Sequence, residues 1–160
     1  MMNIRNGTYT LLNGVEMEIN GFYGHGISNP DIEKIKQISY SKKFKPLKGF
    51  RLDDKEESFV KDIRISEINN AYKVTTKASF QGEEMNVYNF FEKENALGLT
   101  THTFIQDSNF IKSIDQYGVD YCIGMIGLPE IESIWEERSK SEYDLPMPVG
   151  IEKIKKIILR

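Results

Sequence analysis

The residues able to do chemistry are few and far apart. The histidines are His25 and His102, the first in a glycine-punctuated stretch, NGFYGHGIS, the second on a predicted strand. A zinc site gathers His, Cys or acidic ligands, often at short fixed spacings. These two lack such spacing and no acidic partner is pointed to, so neither a metal nor another cofactor is expected. Cys122 is the single cysteine, which excludes an intramolecular disulfide and a cysteine-based zinc site. It could act as a nucleophile beside a histidine. However, it takes the inward parity of the apolar run YCIGMIGL, where a cysteine behaves as a small hydrophobe. Ser39, Ser41 and Ser79 fall within predicted strands and not on a nucleophile elbow, which gives that hydrolase chemistry no support. The glycine stretch is not a phosphate loop, because no Gly-Lys-Ser/Thr follows it.

Carboxylates cluster twice, at Asp53, Asp54, Glu56 and Glu57 and again at Glu130, Glu132, Glu136 and Glu137. Paired carboxylates do acid/base work only where two converge across a cleft, and spacing does not place any two so. The alternative chemistry is an acidic surface that steers a basic partner. Lysines lie elsewhere, between Lys34 and Lys48 and between Lys153 and Lys156, so charge is unevenly spread. The candidate partner-binding residues are therefore Asp53, Asp54, Glu56, Glu57, Glu132 and Glu136. Tyr23 and His25 join them from the glycine-rich loop, since loops carry function more often than scaffold. A net charge of -3 and a pI near 5.5 argue against a nucleic-acid partner, which wants a basic face. No apolar run approaches the roughly 20 residues of a membrane span. The start, MMNIRNGTY, lacks a signal-peptide core. A cytoplasmic protein without nucleic-acid or membrane partners, monomeric or weakly dimeric, is expected.

These residues must be positioned by strands. Tyr72 to Val87 reads as strand, a two-residue turn at Gln81-Gly82, and strand. Tyr72, Val74, Thr76, Ala78 and Phe80 share one face, joined across the turn by Met85 and Val87. Thr8 to Ile19 has the same plan around Asn13-Gly14, a strong type I′ hairpin signal. Here Thr8, Thr10, Leu12, Val15, Met17 and Ile19 face inward, and Tyr9, Leu11, Glu16 and Glu18 outward. Third strands are expected at Ile38–Phe44 and Leu97–Phe104, with a helical or irregular piece at Asp31–Gln37. Phe59–Ile65 alternates, with Val60, Asp62 and Arg64 outward, and Ser58–Ile65 corresponds to Tyr121–Leu128. The latter presents Ile123, Met125 and Gly127 outward, so it is covered on both faces or exposes an apolar patch. Ser66 and Pro129 each open a helical turn. The second continues as a helix with Ile131, Ile134, Trp135 and Arg138 on one stripe. The tail, Ile151–Arg160, fits a helix by spacing and a closing strand by repeat logic; a strand is expected.

The chain is thus a mainly β, α+β protein. It forms two tandem SH3-like repeats, residues 1–75 and 76–160, packed as one unit. They share a central strand, and each has a short helix before its last strand. Either copy alone, about 65 residues, would bury only about 60% of its unfolded surface. The run NGTYTLLNGVEMEI, the SEI and PEI turns before an aromatic residue, and the tail IWEER…LPMP resemble small immunity-type proteins of bacterial polymorphic toxin loci. The resemblance implies a non-catalytic protein that binds and neutralises a cognate toxin, and the acidic clusters fit a basic toxin domain. Two other functions compete with it. One is an SH3-like adaptor binding peptide or ligand through Tyr9, Tyr23 and Tyr40. The other is a small hydrolase using His102 or His25 with carboxylates.

Overall fold

Strict alternation of large apolar and polar residues dictates a half-buried strand, and Tyr72–Phe80 obeys it. Tyr72, Val74, Thr76, Ala78 and Phe80 are all buried while Lys73 is exposed. A computed structural model describes residues 2–21, 35–101, 113–114 and 121–157. The strands are β1 (Gly7–Leu12), β2 (Val15–Gly21), β3 (Ile35–Ser41), β4 (Arg51–Leu52), β5 (Ser58–Arg64) and β6 (Tyr72–Phe80). They continue as β7 (Glu83–Phe91), β8 (Ala96–Thr101), β9 (Ser113–Ile114), β10 (Tyr121–Gly127), β11 (Ser133–Lys140) and β12 (Ile154–Ile157). Among the described residues the helical segments are two single 3-10 turns, Ile65–Glu67 and Leu128–Glu130. The protein is mainly β, with antiparallel ladders throughout β1–β2, β2–β3, β3–β5, β6–β7, β7–β8 and β8–β10.

The chain divides into two compact units. The first holds Gly7–Lys73 and Ser139–Ile151; the second holds Met1–Asn6, Val74–Arg138 and Glu152–Arg160. In the first, the strand order is β4-β5-β3-β2-β1; in the second it is β9-β10-β8-β7-β6, with β11 beside β6 and β12 beside β11. Corresponding strands therefore take the same order in both. Each unit has its own core. Met17, Ile19, Ile38, Tyr40, Ile63 and Ile68 fill the first. Met85, Val87, Leu97, Leu99, Ile123 and Ile134 are among those filling the second. Both hairpins close through two residues at positive φ, Asn13 (52°) with Gly14 (75°) and Gln81 (51°) with Gly82 (77°). That is the type I′ geometry, whose twist matches the strands. The registers Thr10↔Met17, Leu12↔Val15 and Ala78↔Met85 are as predicted.

Several expectations are corrected. No helix follows Pro129: Ser133–Lys140 is β11, and Ile131 and Glu132 lead into it without regular structure. The buried positions there are Ile134, Glu136 and Arg138, so a period of two is disguised by charged side chains that face inward. In the 3-10 turn Ile65–Glu67 the N-cap position belongs to Arg64 and not to Ser66, and the Glu67 carboxylate accepts the Arg64 N–H at 3.0 Å. The third strands begin earlier than expected, so Ile35–Gln37 are extended, and residues 31–34 lie outside the described residues. Tyr9 and Val60, expected outward, are buried. Tyr9 packs on Tyr72, ring centroids 6.1 Å apart. In β10 the register slips between Cys122 and Gly124. A bulge of this kind inserts one residue and reverses parity beyond it. Ile123, expected outward, thereby lies in the core, while Met125, opposite Gly98, is outward as expected and 54% exposed. The tail forms the expected strand over Ile154–Ile157, paired with β11.

Candidate functional site

In the second unit the tight β6–β7 turn brings Glu83 and Glu84 to the surface beside Gly82. The 3-10 turn Leu128–Glu130 then delivers the chain to the same place, where Glu132 N–H donates to Ser79 O at 2.9 Å. The Glu132 carboxylate is held by two donors, Ser79 Oγ at 2.7 Å and Gly82 N–H at 3.0 Å. These hydrogen bonds, Ser79 first and Gly82 second, hold its pKa below the ordinary carboxylate value. The group is exposed and yet held by both donors at once. Glu83, Glu84 and Glu130 are exposed around it. Lys77 adds one cation, 2.6 Å from Glu84 and 3.3 Å from Glu137. Burial lowers its pKa, but hydrogen bonds and charge from those two carboxylates raise it further, above the ordinary value.

The first unit carries the other predicted cluster, in the turn between β4 and β5. Asp53 is its builder: one carboxylate oxygen accepts the N–H groups of Glu57 at 2.8 Å and Ser58 at 3.4 Å. Asp53 O accepts Glu56 N–H at 3.0 Å, with Glu56 at φ 55°. Asp54, Glu56 and Glu57 are left exposed. Each unit thus presents its own acidic turn.

Glu136, grouped with Glu132 by the sequence, is placed differently. It is 6% exposed and lies between two guanidinium groups. Arg5 is bidentate on it, Nε to Oε1 and Nη2 to Oε2 at 2.8 Å each. Arg138 donates to Oε2 through Nη2 at 2.8 Å and Nε at 3.2 Å. Burial alone would raise its pKa; the hydrogen bond from Arg5 and the charges of Arg5 and Arg138 outweigh it and leave the carboxyl below 4.5. Glu136 is therefore a buried tie and contributes nothing to an exposed acidic face. Nor do Tyr9 and Tyr40 make an aromatic peptide platform. Tyr40 is 5% exposed, edge-on to Phe50 at 5.1 Å, with its hydroxyl accepting Leu47 N–H at 2.8 Å. Tyr23, His25 and His102 lie outside the described residues.

Two asparagines escaped sequence reading. The Asn70 amide pairs with both backbone groups of Leu11, accepting its N–H at 2.9 Å and donating to its O at 3.1 Å. Asn6 does the equivalent on Thr76 N–H and Val87 O, at 2.9 and 2.8 Å. Beside Asn70 a cavity of about 40 Å³ is lined by Thr10, Leu11, Ile38 and Glu67, room for about one water molecule. Among the described residues no three of His, Cys, Asp and Glu are placed to hold a metal ion. No helix there is long and apolar enough to cross a membrane.

A family model matches residues 4–141, from the segment before β1 through β11. The chain belongs to the uncharacterised conserved protein family UCP033725. No curated protein and no solved structure matches it.

Proposed function

We propose that this chain is a non-catalytic binding protein of immunity type, which holds and neutralises a cognate basic toxin domain in the cytoplasm. The observation that carries the reading is Glu132, an exposed carboxylate kept ionised and immobile by Ser79 and Gly82. Anionic groups fixed before encounter lose little side-chain freedom on binding, which favours affinity. Their field speeds association with a cationic surface. Glu83 and Glu130, exposed near Glu132 in sequence and turn, strengthen that field, while Glu84 is offset by Lys77. Tandem SH3-like repeats are part of the proposal, supported by the recurring strand order and by the 3-10 turn that ends β5 and β10. So is a monomer or weak dimer.

The test is titration calorimetry against the product of the neighbouring gene, which this reading expects to carry a basic toxin domain, at two salt concentrations. Glu130→Lys with Glu132→Lys should weaken binding at least about tenfold, as like charges meet across the interface. Added salt should weaken the unsubstituted pair. Asp54→Lys, Glu56→Lys and Glu57→Lys together report on the first unit's turn. Affinity indifferent to both reversals and to salt would end the acidic-surface reading.

A further inference from the structure

Where β6 and β7 part, the chain's own first residues stand between them. The ladder runs from Phe80↔Glu83 to Lys77↔Asn86 and goes no further. Thr76 and Val87 would form the next rung, and the Asn6 amide occupies it, accepting from Thr76 N–H and donating to Val87 O. A primary amide carries the same donor and acceptor as a peptide group, so it extends the ladder by one step. Thr76 Oγ1 binds the backbone of Arg5 at both ends, donating to its O at 2.7 Å and accepting its N–H at 3.2 Å. The Arg5 guanidinium reaches the buried Glu136 as a two-pronged clamp. Ile4 and Met2 pack against the second unit's core, with Asn3 exposed between them.

Main-chain bonds, alternate apolar anchors and a bidentate arginine are how proteins recognise extended peptides. We propose that the fork between β6 and β7 is a groove for an extended segment ending in Ile-Arg-Asn. Residues 2–6 are its resident and exchangeable ligand, and the competing occupant is the same segment of a second copy. Each feature the groove recognises is supplied by this chain's own sequence, so a second copy matches it group for group, the situation in which exchange between protomers costs least. A tethered segment sits at a millimolar effective concentration. The home strap therefore prevails in dilute solution, and exchange sets in when protein concentration approaches that value.

The experiment uses the full chain and a fluorescent peptide of residues 1–6. Arg5→Glu sets two carboxylates against each other and releases the strap. That chain should take up the peptide at least about tenfold more tightly than the unsubstituted one, because the competing closed state is depopulated. Adding Thr76→Val, which keeps the shape and removes the hydroxyl, should abolish uptake. Mixed in sedimentation runs, the Arg5→Glu chain (groove intact, strap disabled) and the Thr76→Val chain (strap intact, groove weakened) should form a heterodimer. Arg5→Ala substitutes for Arg5→Glu if circular dichroism shows that the latter is unfolded. Equal peptide affinity with and without the Arg5 substitution, or uptake that survives Thr76→Val, overturns the groove. Uptake without a heterodimer overturns the second copy as its occupant.

Discussion

At Glu136 one carboxylate answers two guanidinium groups, the buried Arg138 and the partly exposed Arg5. Removing the charge leaves Arg138, whose side chain is 4% exposed, without a carboxylate partner and with Glu152 O to accept from its guanidinium. Breaking a buried pair from one side costs about 3–5 kcal/mol, and Glu136→Gln should destabilise the protein by that order in urea unfolding. The same group sets a pH dependence. Its pKa is lowered on folding, so the folded state binds its proton less readily than the unfolded chain does. The stability it adds is fully present above the ordinary value of 4.5 and is lost as pH falls through the lowered one. Unfolding midpoints of the unsubstituted chain should therefore drop below about pH 4.5 more steeply than those of Glu136→Gln. Parallel curves would show that the triad contributes nothing to acid sensitivity. Glu132 differs in kind: exposed and held only by neutral donors, it serves the surface, and Glu132→Gln should leave the midpoint almost unchanged.

The hairpins show how far an element can be read from its letters. Asn13-Gly14 and Gln81-Gly82 each impose positive φ at two positions, and the flanking alternation sets the register, so both hairpins were legible before any coordinates. A Cβ at Gly14 or Gly82 would meet nothing within 4 Å. The cost of Gly14→Ala or Gly82→Ala is then conformational alone, about 1–2 kcal/mol, and should be equal at the two turns within measurement error. Gln81→Asn should stabilise by a few tenths of a kcal/mol, because asparagine tolerates the left-handed region better. Thermal melts of the three variants decide both points. What was illegible has a common cause. The inward residues of β11 include Glu136 and Arg138, made acceptable in a core only by Arg5, which lies 131 residues from Glu136. Spacing alone therefore suggested a helix. Likewise Glu132 and Glu136 look alike in sequence. Only their distant donors, Ser79 and Gly82 for one and Arg5 for the other, separate a surface carboxylate from a buried tie. The bulge in β10 falls at Gly124, a strand-interior glycine at φ 95° that spacing did not distinguish from its neighbours, and it turned Ile123 inward against expectation while Met125 stayed outward.

For the whole molecule, each unit borrows chain from the far end of the sequence. The first takes Ser139–Ile151, and the second takes Met1–Asn6 and Glu152–Arg160. The borrowed pieces are bonded in. Glu142 accepts the Thr8 hydroxyl at 2.9 Å, Pro146 O accepts Ala71 N–H at 3.1 Å, and Tyr143 and Leu145 pack on the first core. In the second unit Arg5 and Asn6 hold Glu136, Thr76 and Val87, while Lys153 O and Glu152 O accept from Arg138 at 2.7 and 3.1 Å. A cut after residue 75, the boundary expected from the sequence, leaves neither half with a whole unit. Residues 1–75 lose the segment over Thr8 and Ala71; residues 76–160 lose the strap and the first two second-unit residues of β6, Val74 and Thr75. Domains of this size are marginal even when complete, and losing several buried hydrogen bonds at about 1 kcal/mol each removes most of that margin. Expressed separately, both halves should show collapsed amide dispersion in NMR spectra and no cooperative melt, whereas the full chain melts cooperatively. A half that gives a dispersed spectrum and a sharp transition would mean that the crossed segments are ornament, and that the boundary expected from the sequence is a folding boundary.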